Sequence, residues 1–430
     1  MNELAPDPGA ERSTLDENLE RYGSAGALAL VALGFVLRAR GLSQYWLNPD
    51  EGTYYSILTA GSFGDFWAEV LSNAHPPLYY LLLRGVGLLT WDFVWLRGTS
   101  LLFGTAAIWL FWLVGRELGG RGRTGAVSGL AAAGLIAVNA EAITHSQVLR
   151  PYALIVFLLS GALHQLLRYR SDPNIRSLVA CAVLLSLAAL GHYSAALAIA
   201  AFSGLIAYDG LIGSDRAAWK RLVSIHLIPV LIFAGLYATH VRTTLETYLM
   251  GLAFGSEGWL SAWLVGSPGD AWNSLVSYQI FHLPLGLRVR SALLMLAALT
   301  LSALARDKSV AVLAGTALLA ALTASALGVY PFGLTRHNAW LMVFTVPALA
   351  VLGGHLIDVG RRAALIACGV VLAVLLAGGP LERALAGPSS ASDTQVREAT
   401  DEQLLRSVEL APLVVDRLGP EGEPRIIIMS

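Results

Sequence analysis

The residues of this 430-residue chain best suited to chemistry are acids, histidines and arginines set beside prolines and aromatics. The sharpest group is Asn48-Pro49-Asp50-Glu51. It has the form of a helix start, with Asn48 as N-cap, Pro49 at the first helical position and Glu51 three residues after the cap. Glu51 there closes a capping box, which accounts for it without any chemistry. The cap does not require Asp50, so Asp50 is the carboxylate left to take a proton or hold a ligand. His75-Pro76-Pro77-Leu78-Tyr79-Tyr80 comes next, its prolines fixing an extended entry and then a helix start. His75 in that step reads as a ligand, a base or a packed ring. Further on, Glu141 and His145 precede Arg150-Pro151-Tyr152, and Tyr330-Pro331 precedes Arg336-His337. Each arginine stands at a helix mouth, where a guanidinium either holds a phosphate or snorkels to the interface.

Those side chains must be carried by a membrane bundle. Of the chain, 55% is hydrophobic and only 14% charged, and mean hydropathy is +0.61. An ordinary soluble domain is about 25% charged, so polar surface is too scarce for a water-soluble body. The same numbers exclude disorder, collagen and a disulfide scaffold. A net charge of −1 gives no global field for nucleic acid. Cys181 and Cys368 both lie in apolar runs, and no bridge between them is needed.

Apolar runs near 24–40, 94–115, 125–140, 152–167, 177–190, 193–209, 222–237, 291–305, 309–327, 338–357 and 363–379 predict about eleven transmembrane helices. Basic residues fill alternate short linkers: Arg116, Arg121 and Arg123; Arg168, Arg170 and Arg176; Arg216, Lys220 and Arg221; Arg306 and Lys308; Arg361 and Arg362. Placing those linkers inside makes residues 1–23 a cytoplasmic tail, acidic and unlike a signal peptide. The module 24–379 then has two large outer connections, 41–93 and 238–290. Both are rich in aromatics, which suits amphipathic helices at headgroup level. Residues 380–430 fall outside, with helical spacing over 399–418 and a strand-like run at 425–429, the pattern of part of a small α/β module. Ionisable residues gather at outer span ends, including His75, His145, His192, His240, His282 and His337, with Asp50, Arg97, Arg150 and Arg336. A transporter or proton pump would hold such groups near the midplane.

Taken together, the residues resemble the GT-C superfamily of membrane glycosyltransferases, in particular the protein O-mannosyltransferase and lipid A aminoarabinose transferase group. The resemblance rests on Asp50-Glu51 in a long first outer loop, His75-Pro76-Pro77-Leu78 after it, and Leu96-Arg97 opening the next span. Gly115-Arg116-Glu117-Leu118 and Arg150-Pro151-Tyr152 complete it, and the later spans match mainly by layout and by Arg336-His337. It implies an all-α GT-C-like bundle that inverts a sugar centre while moving the sugar from a polyprenyl-phosphate donor to an acceptor hydroxyl. The acceptor is a lipid, a polysaccharide or a protein, and the site lies on the extracytoplasmic face of a bacterial or archaeal cell membrane. Asp50 carries over as the acceptor-activating carboxylate and Glu51 as its supporting acid. His75, Arg97, Arg150, Tyr152, Arg336 and His337 carry over as substrate-binding residues. Glu51 and His75 are the candidates for a divalent metal ion. The sequence departs from the family after Arg150, where Pro151, Tyr152 and Ala153 stand in place of an acid that many members have. A lipid or solute transporter and a non-catalytic scaffold are the competing readings.

Overall fold

A computed structural model describes residues 8–43, 47–73, 75–120, 122–212, 217–242, 264–278, 295–296, 298–303, 308–333 and 335–359. Every regular element among them is helical. In chain order these are α1 (Pro8–Ala39), α2 (Pro49–Leu58), α3 (Phe63–Ser72), α4 (Pro77–Gly87), α5 (Phe93–Gly119), α6 (Arg123–Val138) and α7 (Ala140–His145). Then follow α8 (Tyr152–Ser171), α9 (Ile175–Gly191), α10 (Ala195–Ile212), α11 (Ala217–Leu236), α12 (Pro268–Ser277), α13 (Ser309–Ala326) and α14 (Met342–Val359). A π-helical turn, Tyr237–Val241, extends α11, and a 3-10 turn, Arg336–Leu341, leads into α14.

The helices α1, α5, α6, α8 to α11, α13 and α14 coincide with predicted apolar runs. Among the described residues, six segments are long and apolar enough to cross a membrane: Tyr22–Ala39, Phe93–Gly119, Tyr152–Ser171, Ala217–Val241, Ser309–Ala326 and Arg336–His355. The apolar α6, α9 and α10 are shorter. An integral membrane protein is the result. The expected run 24–40 is the second half of a helix that already starts at Pro8. The run 363–379, part of 291–305, most of 238–290, His282, Arg121, Arg216, Arg306, Arg361, Arg362 and the segment 380–430 lie outside the described residues.

Local chemistry starts most of the helices in the connection between α1 and α5. The capping box at α2 is made, with the Glu51 N–H donating to Asn48 Oδ1 at 2.9 Å and the Asn48 N–H to Glu51 Oε2 at 3.2 Å. Ser62 and Asp65 form a second box at α3, and Pro76-Pro77 opens α4. α3 buries Phe66 and Val70 while Phe63 is exposed. That asymmetry suits a helix lying at headgroup level.

Small residues let α5 and α6 approach closely. A Cβ added at Gly125 would stand 1.8 Å from the Gly120 carbonyl oxygen, and one at Gly129 would stand 2.8 Å from the Trp112 carbonyl oxygen. Bulkier residues would push the helices apart. α8 runs through the centre of the bundle, packed against α5 and α9, whereas α11 leaves Val223, Leu227, Ile228, Val230 and Leu231 exposed. In a bilayer those side chains meet lipid.

Two polar ties fix the ends. At one end Arg170 donates twice to Asp209, at 2.8 and 2.8 Å, and once to Ser309 Oγ at 2.9 Å, joining α8, α10 and α13. At the other, Arg38 is fully buried and has no carboxylate partner among the described residues. Its guanidinium donates to the carbonyls of Gly34, Ile136 and Ala137 and to Ser146 Oγ, at 2.9 to 3.1 Å. Ile136 and Ala137 belong to the last turn of α6, where the helix dipole is negative and favours a cation.

Candidate active site

Asp50, Glu51, His75, Arg97, Arg150, Tyr152, Arg336 and His337 all lie at the Arg38 end of the bundle. They divide into a buried tie, a charged mouth and a neutral wall.

Glu51 is the tie. Its side chain is 1% exposed, and Arg97, 3% exposed, grips it in a fork. Nε donates to Oε1 at 2.8 Å and Nη2 to Oε2 at 2.7 Å. The Leu149 N–H also donates to Oε1 at 2.8 Å. One carboxylate therefore joins the start of α2, the first turn of α5 and the turn between α7 and α8. Its chain neighbour is Asp50, and Leu149 is the chain neighbour of Arg150. Glu51 thus sets the separation of the two residues at the mouth.

At the mouth, Arg150 Nη2 and Arg336 Nη2 both reach the same oxygen, Asp50 Oδ2, each at 2.5 Å. Asp50 Oδ1 makes no hydrogen bond or ion pair among the described residues. The two arginines differ in freedom: the Arg150 side chain is 10% exposed and that of Arg336 42%. Arg150 also lies over the Tyr54 ring, 5.2 Å from its centroid, and its carbonyl accepts from Ser100 Oγ at 3.3 Å. Since the Ser100 proton goes there, the Tyr79 hydroxyl donates to Ser100 Oγ at 2.6 Å. Burial alone raises the Asp50 carboxyl, but the Arg150 and Arg336 charges and hydrogen bonds outweigh it and hold it below the usual carboxylate range.

The neutral wall is a chain of rings. His75 stands 5.9 Å from Tyr54 and 5.4 Å from His192, and His192 is 5.4 Å from Tyr152 and 6.3 Å from His337. Burial first, then the Arg150 charge, push His75 well below its ordinary value. The same causes, with His145, push His192 down to about 3. His145 Nε2 lies 3.0 Å from Glu141 Oε1, one turn earlier on α7.

Sequence reasoning places His192 on the outer side without giving it a role. A signal for one exists: Gly191-His192 is nearly the whole connector between two apolar runs, where a polar ring is otherwise costly. The part played by the Leu149 amide has no signal, since it depends on how a turn folds.

A divalent cation does not fit this set. Among the described residues no three His, Cys, Asp or Glu side chains converge to hold an ion. Both Glu51 oxygens are taken by Arg97, Asn48 and Leu149, and two guanidiniums flank Asp50. They supply at that carboxylate the positive charge a dication would bring.

No family model matches the chain, and no curated protein sequence does. Solved structures do. ArnT from Cupriavidus metallidurans, in the apo state, superposes with a TM-score of 0.53 at 20% identity, covering 83% of this chain and 65% of that one. The same protein bound to undecaprenyl phosphate gives 0.52 at 20% identity, covering 82% and 64%. The Archaeoglobus fulgidus oligosaccharyltransferase, in the apo form, gives 0.51 at 13% identity, covering 84% and 55%. This chain therefore spans less than two thirds of the length of each. All are GT-C proteins, and the shared feature is the fold.

Proposed function

With the GT-C fold as premise, we propose that this chain is an inverting glycosyltransferase using a polyprenyl-phosphate sugar donor. The acceptor is a hydroxyl at the extracytoplasmic membrane face. The observation that carries this is the convergence of Asp50, Arg150 and Arg336 at one end of the bundle, with Oδ1 of the carboxylate left open. An alcohol is a poor nucleophile until a base takes its proton as the new bond forms. Asp50 Oδ1 is the base in this reading. The acceptor oxygen bonds to the anomeric carbon, the bond from that carbon to the phosphate oxygen breaks, and the electron pair leaves with the phosphate. Arg150 and Arg336 hold the phosphate charge.

The same arginines that hold Asp50 are the ones the donor phosphate needs. Arg336, the more exposed, is the one that turns to the phosphate, while Arg150 is held by Tyr54 and its turn. Loss of a guanidinium contact frees Asp50 to become a stronger base once the donor has arrived. Glu51 is a positioning residue in this scheme. A transporter would hold its ionised groups at the midplane, and the charged residues that converge here lie at the bundle end.

The test is transfer by the purified protein from a panel of labelled polyprenyl-phosphate sugars to lipid, polysaccharide and protein acceptors. Transfer that is lost in Asp50→Asn supports the reading. Transfer by Asp50→Asn at the parent rate removes Asp50 from the role of base, and no transfer from any donor removes the enzyme.

A further inference from the structure

The neutral wall beside the charged mouth is not used by the steps above. His192 ends α9 and turns the chain toward α10. Its Nδ1 accepts from the Ser194 N–H at 3.1 Å and also meets Ser194 Oγ at 2.8 Å. A backbone amide can only donate, so Nδ1 carries the lone pair, and the neutral ring holds its proton on Nε2. His192 is 3% exposed, and Nε2 has no hydrogen-bond partner among the described residues. The hydroxyl of Tyr152, 1% exposed, has none either, and the two rings are 5.4 Å apart. A buried donor without a partner is costly, so two of them on neighbouring rings call for a ligand with matching oxygens.

The charge of that ligand follows from its surroundings. Arg150 and Arg336 supply two positive charges at the edge of the wall. Of the nearby carboxylates in described residues, Glu51 is held by Arg97, Asp50 has one oxygen shared by both arginines, and Glu141 lies 3.0 Å from His145 Nε2. An ammonium group here would meet two guanidiniums against the single carboxylate of Asp50, whose open oxygen Oδ1 is the base for the acceptor. A sugar hydroxyl would accept from Nε2–H and exchange hydrogen bonds with the Tyr152 hydroxyl. We propose that His192 and Tyr152 form the sugar subsite of the donor and select an uncharged, hydroxyl-bearing sugar over an amino sugar. This rests on the glycosyltransferase reading and goes beyond it in naming the class of sugar. The depressed basicity of His192 agrees with a ring that stays neutral.

Binding measurements on the full chain in detergent separate the two claims. The probes are undecaprenyl phosphate, undecaprenyl-phosphate glucose and undecaprenyl-phosphate aminoarabinose. The parent should bind the glucose lipid about tenfold more tightly than the bare phosphate, from two added hydrogen bonds, and the aminoarabinose lipid no more tightly than the bare one. His192→Phe and Tyr152→Phe keep a ring and lose the hydrogen-bonding atom. Each should weaken the glucose lipid about three- to fivefold and leave the bare lipid unchanged. Equal loss for both lipids, or tighter binding of the aminoarabinose lipid by the parent, overturns the subsite while leaving the donor reading intact. Failure of the parent to bind any of the three overturns both. Should His192→Phe not fold, Tyr152→Phe alone decides between these outcomes.

Discussion

Asp50 and Glu51 are adjacent acids with opposite environments. The first is 39% exposed between two cations, and the second is 1% exposed and saturated with donors. Asp50→Asn keeps the size and the helix start but cannot take a proton. Turnover should fall by about a hundredfold or more, while binding of undecaprenyl phosphate is kept or strengthened, because the amide releases the arginines. A filter-binding assay beside the transfer assay checks both. The pH response belongs to other residues. A histidine held neutral binds its proton in the unfolded chain near pH 6.5 but not in the folded one, so stability falls as pH drops below that value. For His192, with a folded value of about 3, the loss by pH 5 is about 2 kcal/mol. Asp50 acts in the same direction at lower pH. Its folded value lies below the unfolded one, so its contribution is full above about pH 4 and fades as the carboxyl protonates. Melting temperature of the parent should therefore decline between pH 6.5 and 5, and His192→Phe should flatten the curve without levelling it, since His75 is depressed too.

At the scale of elements, the Glu51–Arg97 fork decides how α2, α5 and the turn before α8 sit together. Breaking a buried pair strands a charge at a cost of about 3–5 kcal/mol. Arg97→Met should lower the melting temperature sharply, and adding Glu51→Gln to it should recover part of the loss in a double-mutant cycle. The α5–α6 contact is as sensitive to volume. Gly129→Ala sets a methyl against the Trp112 carbonyl and should cost about 1–3 kcal/mol, whereas Gly85→Ala, with open space around its Cβ in α4, should be neutral or mildly stabilising. These elements differ in how far the sequence announces them. The starts at Asn48, Ser62 and Pro77 are local, made by residues within three positions of each other, so the motif at Asn48 and the prolines at α4 are legible directly. The apolar runs are legible for the same reason. The meeting of Arg150 with Arg336 on one oxygen is not, because it joins segments far apart in the chain and depends on how α14 packs against α6 and α8. Arg38 is legible only as the end of a run; its seat on the α6 carbonyls depends on a helix crossing.

For the whole molecule, the alternation of helices places Asp50, His75, Arg150 and Arg336 at one end and the Arg170–Asp209–Ser309 tie at the other. From the basic linkers we infer that the first end is extracytoplasmic. Single cysteines introduced near Asp50, His75, Arg150 and Arg336 should react with an impermeant thiol reagent applied from outside intact cells, and one near Arg170 should react only after permeabilisation. Labelling in the reverse sense would invert the orientation. The close α5–α6 hairpin has one further consequence, for the order in which the protein is made. Its two helices are separated by a short glycine turn and lock through neighbouring residues, so the pair can form soon after leaving the ribosome. Arg97, at the start of α5, then meets a Glu51 already synthesised, and Arg150 follows in the turn between α7 and α8. Arg336 arrives only after α8 to α13 have been synthesised. A nascent chain thus holds a single-arginine mouth for much of its translation, and the second cation enters with one of the last transmembrane segments described.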